Sequence, residues 1–342
     1  MQPLDLTIPD PTPVLDLIEG FRRSKVLFAA VELGVFDELR GGSATLPELA
    51  TRLQCQAQSL ERLLDACVQF QLLTKIGGVY ANTPVAETFL CQASPRRVTG
   101  YIRYSNAALW KLWGSLENAV REGTHRWPEV YGWDGPIFGA FFKTEESKRE
   151  FLWGMHGYGV ISSPAVVSAF DLSRFRRMVD LGGATGHLAT AACERYPHLA
   201  GVVFDLPEVS PLAREIVGQT AVAARVEVVA GDFFVDPLPE ADLFALGRIV
   251  HDWNEEKIGR LLQRVFDRLP AGGAILIAEK LLWDDKTGPR WAQLQSLNML
   301  VCTEGKERTL PEYASLLTQV GFTEVQGVRT SSPLDAILAI KP

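Results

Sequence analysis

Residues 176–187 read Arg-Arg-Met-Val-Asp-Leu-Gly-Gly-Ala-Thr-Gly-His. An apolar run leads into Asp180, a turn rich in glycine follows (Gly182, Gly183, Gly186), and helical spacing resumes near Thr185 and runs to Arg195. Strand, glycine turn and helix in this order bring backbone N–H groups and a helix N-terminus up to a nucleotide. Glycine serves there because a side chain would block the close approach and because tight turns often need a positive φ. Alone, the pattern also fits an ordinary βα turn, so the following segments must decide.

Those segments repeat the unit. Residues 178–181 form a first strand and 201–206 a second, with Asp205 at its end. Residues 226–232 form a third, ending on Asp232, 243–249 a fourth, and 274–278 a fifth that leads into Glu279. Asn254 caps a helix running to about Leu269. The reading is an α/β fold, an open Rossmann-like parallel sheet with helices on both faces and ligands outside the carboxyl ends of its strands. A helix from about Pro311 precedes two further runs, 322–328 and 336–340. These are strands six and seven, the last antiparallel to its neighbours. Seven strands closing on an antiparallel one favour a methyltransferase over a dehydrogenase.

The chain has 342 residues, 47% of them hydrophobic, a length that suggests two domains. Net charge is −7, from 34 basic and 41 acidic residues, which argues against nucleic acid or anionic membrane as a partner. No leader-like N-terminus and no apolar stretch of ~18 residues is apparent. Five scattered cysteines without a C-x-x-C pair read as reduced thiols in a cytoplasmic protein, and five histidines show no metal-ligand spacing, so no metal is expected.

Residues 1 to about 12 are rich in proline and aspartate and should fray. From 14 to 39, Leu15, Leu17, Ile18, Phe21, Val26, Leu27, Ala30, Leu33 and Phe36 recur at helical spacing. That face is too apolar for a lone surface helix and wants a second domain or a second chain. Residues 45–83 have a helix-turn-helix outline followed by a hairpin turning at Gly77-Gly78. DNA binding would need a positive helix, yet residues 45–90 hold Arg52, Arg62 and Lys75 against Glu48, Glu61, Asp65 and Glu87, a net −1. A winged-helix module for dimerisation or packing is the better reading. Residues 95–170 are helical and aromatic, with Trp110, Trp113, Trp127, Tyr131, Phe142, Trp153 and Tyr158. Most such rings are core, and some can line a pocket for a flat substrate. The domains expected are 1–100 for dimerisation, 101–170 as a helical connector to the pocket, and 171–342 for the nucleotide-type cofactor.

Asp205 lies 19 residues after Gly186, where a carboxylate accepts the ribose hydroxyls of a nucleoside. Asp232, in Gly231-Asp-Phe-Phe234, adds a second acceptor and an apolar plate for adenine. Either aspartate alone could be a turn or cap residue. His251-Asp-Trp253 follows the fourth strand. An imidazole, with an ordinary pKa of ~6.5, can take the proton of a phenol as its oxygen attacks a methyl group. Glu279 and Glu307 are carboxylates available to hold that imidazole. The plainer role for His251 is a cap before the helix at Asn254.

These residues resemble the S-adenosylmethionine-dependent small-molecule O-methyltransferases, and within them the acetylserotonin-type group. The motifs are Val179-Asp-Leu-Gly-Gly-Ala-Thr-Gly186, Phe204-Asp-Leu-Pro207, Gly231-Asp-Phe-Phe234, Arg248-Ile-Val-His-Asp-Trp253, Ala278-Glu279, Ser296-Leu-Asn-Met-Leu300 and Thr303-Glu-Gly-Lys-Glu-Arg-Thr309. The helical part joins in through Leu27-Phe-Ala-Ala-Val-Glu-Leu-Gly-Val-Phe36 and Ala119-Val-Arg-Glu-Gly123. The resemblance implies an α-helical, winged-helix dimerisation domain and a homodimer completing each pocket. It implies S-adenosylmethionine contacts at Gly182, Asp205, Leu206, Gly231, Asp232, Phe233 and Arg248, with the ring of Phe142 beside the cofactor. It makes His251 the base, with Glu279 and Glu307 flanking it. Asp252 and Asn298 approach a small aromatic hydroxyl acceptor, with Cys302 and Met155 nearby. Three positions depart from the pattern. Ala184 replaces a glycine, tolerable if φ there is negative. Gly247 replaces the lysine of plant enzymes. Cys302 replaces a glutamine that binds the acceptor amide, which counts against N-acetylserotonin itself. The rival readings are a non-catalytic cofactor-binding homologue and an NAD-dependent oxidoreductase.

Overall fold

The structure is a computed structural model and describes residues 9–136, 138–139, 142 and 144–342. The first eight of the residues expected to fray lie outside the described residues. The chain gathers into two units, one up to Asn106 and one from Ala107.

The first unit begins with α1 (Thr12–Glu32) and α2 (Val35–Glu38). The single run of helical spacing from 14 to 39 is therefore two helices. Gly34, at φ +77°, takes the left-handed conformation that breaks it. Next come β1 (Ser43–Thr45), α3 (Leu46–Arg52), α4 (Ala57–Gln69), β2 (Leu73–Ile76), β3 (Val79–Asn82), α5 (Pro84–Phe89) and α6 (Thr99–Tyr104). α3 starts on the expected capping box, where Glu48 accepts from the Thr45 N–H at 2.7 Å and hydroxyl at 2.8 Å. Gly77 and Gly78, at φ +58° and +80°, supply the two positive angles of a tight hairpin turn. The three strands form an antiparallel sheet in the order β1-β3-β2, closed over Phe36, Leu49, Leu64 and Tyr80. On α1, Val14, Leu15, Leu17, Ile18 and Phe21 are all more than half exposed.

The second unit opens with α7 (Trp110–Trp113), α8 (Leu116–Glu122), α9 (Trp127–Tyr131) and α10 (Glu145–Ser168). Then follow β4 (Arg177–Leu181), α11 (His187–Arg195), β5 (Ala200–Asp205), α12 (Ser210–Val217), β6 (Val226–Ala230) and β7 (Leu243–Gly247). A 3-10 turn (Val250–Asp252) leads to α13 (Glu255–Arg268), β8 (Ala274–Glu279), α14 (Arg290–Cys302), α15 (Leu310–Val320), β9 (Thr323–Val328) and β10 (Asp335–Ile340). The sheet order is β6-β5-β4-β7-β8-β10-β9. The strands from β6 across to β8 run parallel, and β10 runs antiparallel to both β8 and β9. The seven strands and the antiparallel last one are those the sequence predicts. One face packs Val203, Ala245 and Leu276 under α10 and α11; the other packs Phe244, Leu261, Val265 and Tyr313. β4 pairs with β5 on one side and β7 on the other, so strand order reverses there. Sheets of this kind hold ligands at that reversal. Among the described residues no helix is long and apolar enough to cross a membrane.

Candidate active site

The glycine turn joins β4 to α11. Gly182 sits at φ +65° and donates its N–H to the Phe204 carbonyl at 2.8 Å. A Cβ there would come within 2.3 Å of the Ile249 side chain and 3.3 Å of the Phe233 ring, and the positive φ strains any L-residue, so both space and backbone favour glycine. Gly231 is similar, since a Cβ would meet the Phe204 ring at 2.4 Å. Ala184 departs from expectation. Its φ is +47°, in the left-handed region that L-residues enter only under strain, rather than negative. What holds it is its N–H, which donates to the Asp205 carboxylate at 2.7 Å.

Asp205 reaches across from the end of β5. Its other oxygen accepts the Leu206 N–H at 2.7 Å. Burial pushes its pKa up to about 6 against the pull of those two N–H groups. Phe142 packs with Leu152, Val209, Leu212 and Ile216, alongside Ala184 and Leu206. Asp232 is partly spent locally. It accepts the Phe234 N–H at 2.8 Å, an Asx-type turn that seats the Phe233 ring on the Gly182 side. Arg248 stands at φ +58°, just past β7. Its guanidinium lies 4.9 Å over the Tyr158 ring and 3.9 Å from the Met155 sulfur, and its buried Nε has no partner among the described residues.

Three features suit these residues to S-adenosylmethionine. The two glycines let Ile249, Phe233 and Phe204 pack against bare backbone at the strand ends, which leaves that backbone without side chains of its own. Asp205 offers carboxylate lone pairs to a ribose, and Phe233 and Leu206 offer apolar surface to adenine. Arg248 brings a half-buried cation, its buried Nε without a partner among the described residues, to the same strand end, suited to an amino-acid carboxylate.

His251 occupies the 3-10 turn after β7 and is 4% exposed. It is not a helix cap; Asn254 performs that task, accepting the Lys257 N–H at 3.0 Å. The imidazole Nδ1 meets the Glu307 carboxylate at 2.6 Å. Asp252 Oδ1 is 3.8 Å from Nε2, too far for a hydrogen bond, so Nε2 is left for another partner. Burial lowers the imidazole pKa, but Glu307, Glu279 and Asp252 together outweigh it and raise it to about 9. Burial also raises Asp252, opposed by His251, to about 7.

Glu279 does not touch the imidazole ring. It accepts the backbone N–H groups of Ile249 (3.2 Å) and His251 (3.0 Å) on one oxygen and the Tyr313 hydroxyl on the other. It therefore holds the turn, while Glu307 holds the ring. One ligand atom each from His251, Glu279 and Glu307 lies within 4.8 Å of the others, a spacing that could also suit a metal ion. The bonds they make give a proton network instead: Nδ1 faces Glu307, and Glu279 is filled by three donors.

On α14, Asn298 accepts the indole N–H of Trp113 at 2.9 Å, and the buried Cys302 thiol lies 3.7 Å from the same oxygen. An indole only donates, so the asparagine oxygen is fixed there and its NH₂ is the end that remains. Two contacts were not legible in the sequence. His156 Nδ1 meets the Thr185 hydroxyl at 2.8 Å, and Ser163 meets His187 Nδ1 at 2.9 Å, tying α10 to the glycine turn. A Cβ at Gly159 would strike the His187 ring at 2.1 Å, so that glycine makes room for the ring. Nothing in the spacing of a helix betrays a partner this far along the chain.

The chain is similar to known proteins along most of its length. A family profile described as O-methyltransferase domain matches residues 113–323, and one described as O-methyltransferase dimerisation domain matches residues 15–92. The chain is 41% identical to a human probable bifunctional dTTP/UTP pyrophosphatase/methyltransferase protein over 97% of its own length, spanning about half (54%) of that relative. It is 40% identical to the acetylserotonin O-methyltransferase of Gallus gallus, over 97% of each chain. The crystal structure of human N-acetylserotonin methyltransferase in complex with S-adenosylmethionine superposes with a TM-score of 0.92, at 38% identity and 99% coverage of both chains.

Proposed function

The chain belongs to the family of S-adenosylmethionine-dependent O-methyltransferases, and on that premise we propose that it methylates the hydroxyl of a small aromatic molecule, phenolic or hydroxyindolic, with His251 as general base. The observation that carries the base is the His251–Glu307 pair at 2.6 Å, which leaves Nε2 unclaimed at the carboxyl end of the sheet beside the glycine turn.

Gly182, Asp205, Leu206, Gly231, Asp232, Phe233 and Arg248 hold the cofactor, with Phe142 closing its apolar side. When bound, its sulfonium supplies an electrophilic methyl group. His251 Nε2 accepts the acceptor's hydroxyl proton as the oxygen attacks. Glu307 fixes the Nδ1–H tautomer and stabilises the imidazolium that results. Glu279 keeps the turn from moving while charge develops. Most of the acceleration comes from holding two reactants in register. Asp252 and Asn298 orient the acceptor, and Met155 and Cys302 pack against it. Cys302 offers only a weak donor, so the acceptor need not carry an amide at that end.

We further propose a homodimer built through the first unit, with α3, α4 and the β2–β3 hairpin as a winged-helix element used for packing. The exposed stripe Leu15, Leu17, Ile18 and Phe21 lies within the matched dimerisation region and is of a kind that protein surfaces leave open for a partner. The five cysteines are free thiols, in keeping with a reducing, cytoplasmic setting.

The test uses S-adenosylmethionine labelled in its methyl group with a panel of hydroxyindoles, catechols, hydroxycinnamates and polyketide phenols. Label should reach at least one phenol with wild type. His251→Ala should lose ~10²–10⁴-fold in turnover with S-adenosylhomocysteine affinity unchanged. Turnover that survives the substitution sinks the base assignment.

A further inference from the structure

Arg308 is the largest fully buried side chain among the described residues, at 1% exposed. A guanidinium is costly to bury unless its donors are spent, so where they point reports its role. Nη1 donates to the carbonyls of Lys306 (3.0 Å) and Val250 (3.5 Å). Nη2 donates to the Trp253 carbonyl (3.4 Å) and to Glu255 (3.1 Å). Val250 opens the 3-10 turn that carries His251, and Trp253 closes it. One planar fork therefore reaches the carbonyls at both ends of that turn.

The segment around Arg308 is woven into the same turn. Its neighbour Glu307 takes the imidazole Nδ1. Glu304 donates its N–H to the Asp252 carbonyl at 3.3 Å. A Cβ at Gly305 would lie 2.1 Å from the His251 carbonyl and 2.7 Å from the Trp253 nitrogen, so backbone passes backbone without a side chain between. On its other side, the Arg308 carbonyl accepts the Leu282 N–H at 3.0 Å, linking it to the chain just beyond β8, whose last residue is Glu279.

We propose that Arg308 is a positioning residue for the base: by gripping both ends of the His251 turn it sets the separation between the imidazole and Glu307. The inference rests on the reading of His251 as the base. The contacts to Val250 and Trp253 are individually long, so the paired fork does the holding and not either bond alone. Lysine cannot substitute, because one ammonium does not span two carbonyls on opposite sides. An arginine that merely filled the core would, when replaced, lower stability and the active fraction equally at every pH. A positioning arginine also lets the Nδ1–Glu307 contact lengthen, which weakens the carboxylate's hold on the imidazole proton and lowers the imidazole pKa.

The experiment takes the full chain as Arg308→Lys, Arg308→Met and Glu255→Gln, with His251→Ala beside them. Turnover and KM are measured from pH 5.5 to 10 with a phenol from the panel above, S-adenosylhomocysteine affinity by calorimetry, and the His251 ring titration by NMR. Both Arg308 variants should bind S-adenosylhomocysteine within about twofold of wild type and lose ~10²-fold in kcat, the scale of a base displaced by about an ångström. Their His251 titration should move to lower pH, and Glu255→Gln should move it less in the same direction. A folded Arg308 variant with wild-type kcat and an unmoved His251 titration overturns the proposal, and where Arg308→Met fails to fold, Arg308→Lys decides alone. If His251→Ala retains wild-type turnover, the base reading falls instead, and the His251 titration still judges Arg308.

Discussion

Replacing Glu307 by Gln should change the enzyme by an amount that depends on pH in a specific way. The neighbouring carboxylates raise the His251 pKa to about 9 from the ordinary imidazole value of 6.5, or about 3 kcal/mol in favour of the charged form. Glu307, at 2.6 Å, leads the carboxylates that hold it there against burial. Removing one close opposite charge shifts a pKa by ~1–3 units, so the variant should titrate near pH ~7. The base works in its neutral form, so activity rises with pH through that pKa. In free wild type at pH 7 only ~1 imidazole in 100 is neutral, and in the variant about half are. Each neutral imidazole in the variant is a poorer base, losing its fixed tautomer and its counter-charge, and ~10²-fold is a reasonable loss at the plateau. The two effects cancel at low pH. The two enzymes should have nearly equal kcat/KM below about pH 7 and differ by ~10²-fold above pH 9. Labelled methyl transfer from pH 5.5 to 10 reads this directly. A wild-type to variant ratio that stays constant across that range would refute the electrostatic account of the pair. The same shift bears on folding. A raised imidazole pKa contributes stability that is complete below pH ~6.5 and lost as pH rises through about 9, so wild type should lose Tm over that window more steeply than Glu307→Gln.

Other outcomes follow from the cofactor end of the site. Ala184→Gly should raise stability by ~0.5–1 kcal/mol, because a left-handed alanine is strained and glycine is not; an unchanged denaturation midpoint would mean the turn carries no strain. Asp205→Ala should weaken S-adenosylhomocysteine binding ~10–100-fold, since it removes a carboxylate and strands the N–H groups of Ala184 and Leu206, and calorimetry checks it. Cationic S-adenosylmethionine should expel more of the His251 proton at pH 8 than neutral-sulfur S-adenosylhomocysteine does. Calorimetry in two buffers of different ionisation heat measures the difference, and equal release would argue that the sulfonium is not felt at His251.

Much of the fold was legible because short parallel strands announce themselves as apolar runs and because Gly182 and Gly231 sit where no side chain fits. The Thr45–Glu48 capping box and the Gly77-Gly78 hairpin were legible for the same local reason. What sequence could not give was conformation or partner choice across distance. Ala184 has a positive φ and gives its N–H to Asp205, 21 residues on, a partner that the local sequence does not disclose. Glu279 and Glu307 are both carboxylates near His251, yet only their geometry separates a group that holds backbone from one that holds the ring. The break at Gly34 was hidden inside an unbroken apolar rhythm.

The placement of β10 bears on how the protein is made. Asp335–Ile340 lies between β8 and β9, antiparallel to each, so synthesis must reach Ile340 before β8 has a neighbour on that side. Until then a strand of six fully buried residues, with Glu279 at its end, presents an open edge. On a ribosome moving at ~5–20 residues per second, that edge stays available for wrong pairings while the sixty or so residues from Glu279 to Ile340 emerge. Glu279 is thus sheltered late, and a nascent chain stalled shortly before Asp335 would already carry the whole glycine turn and His251 while lacking the strand that pairs with Glu279.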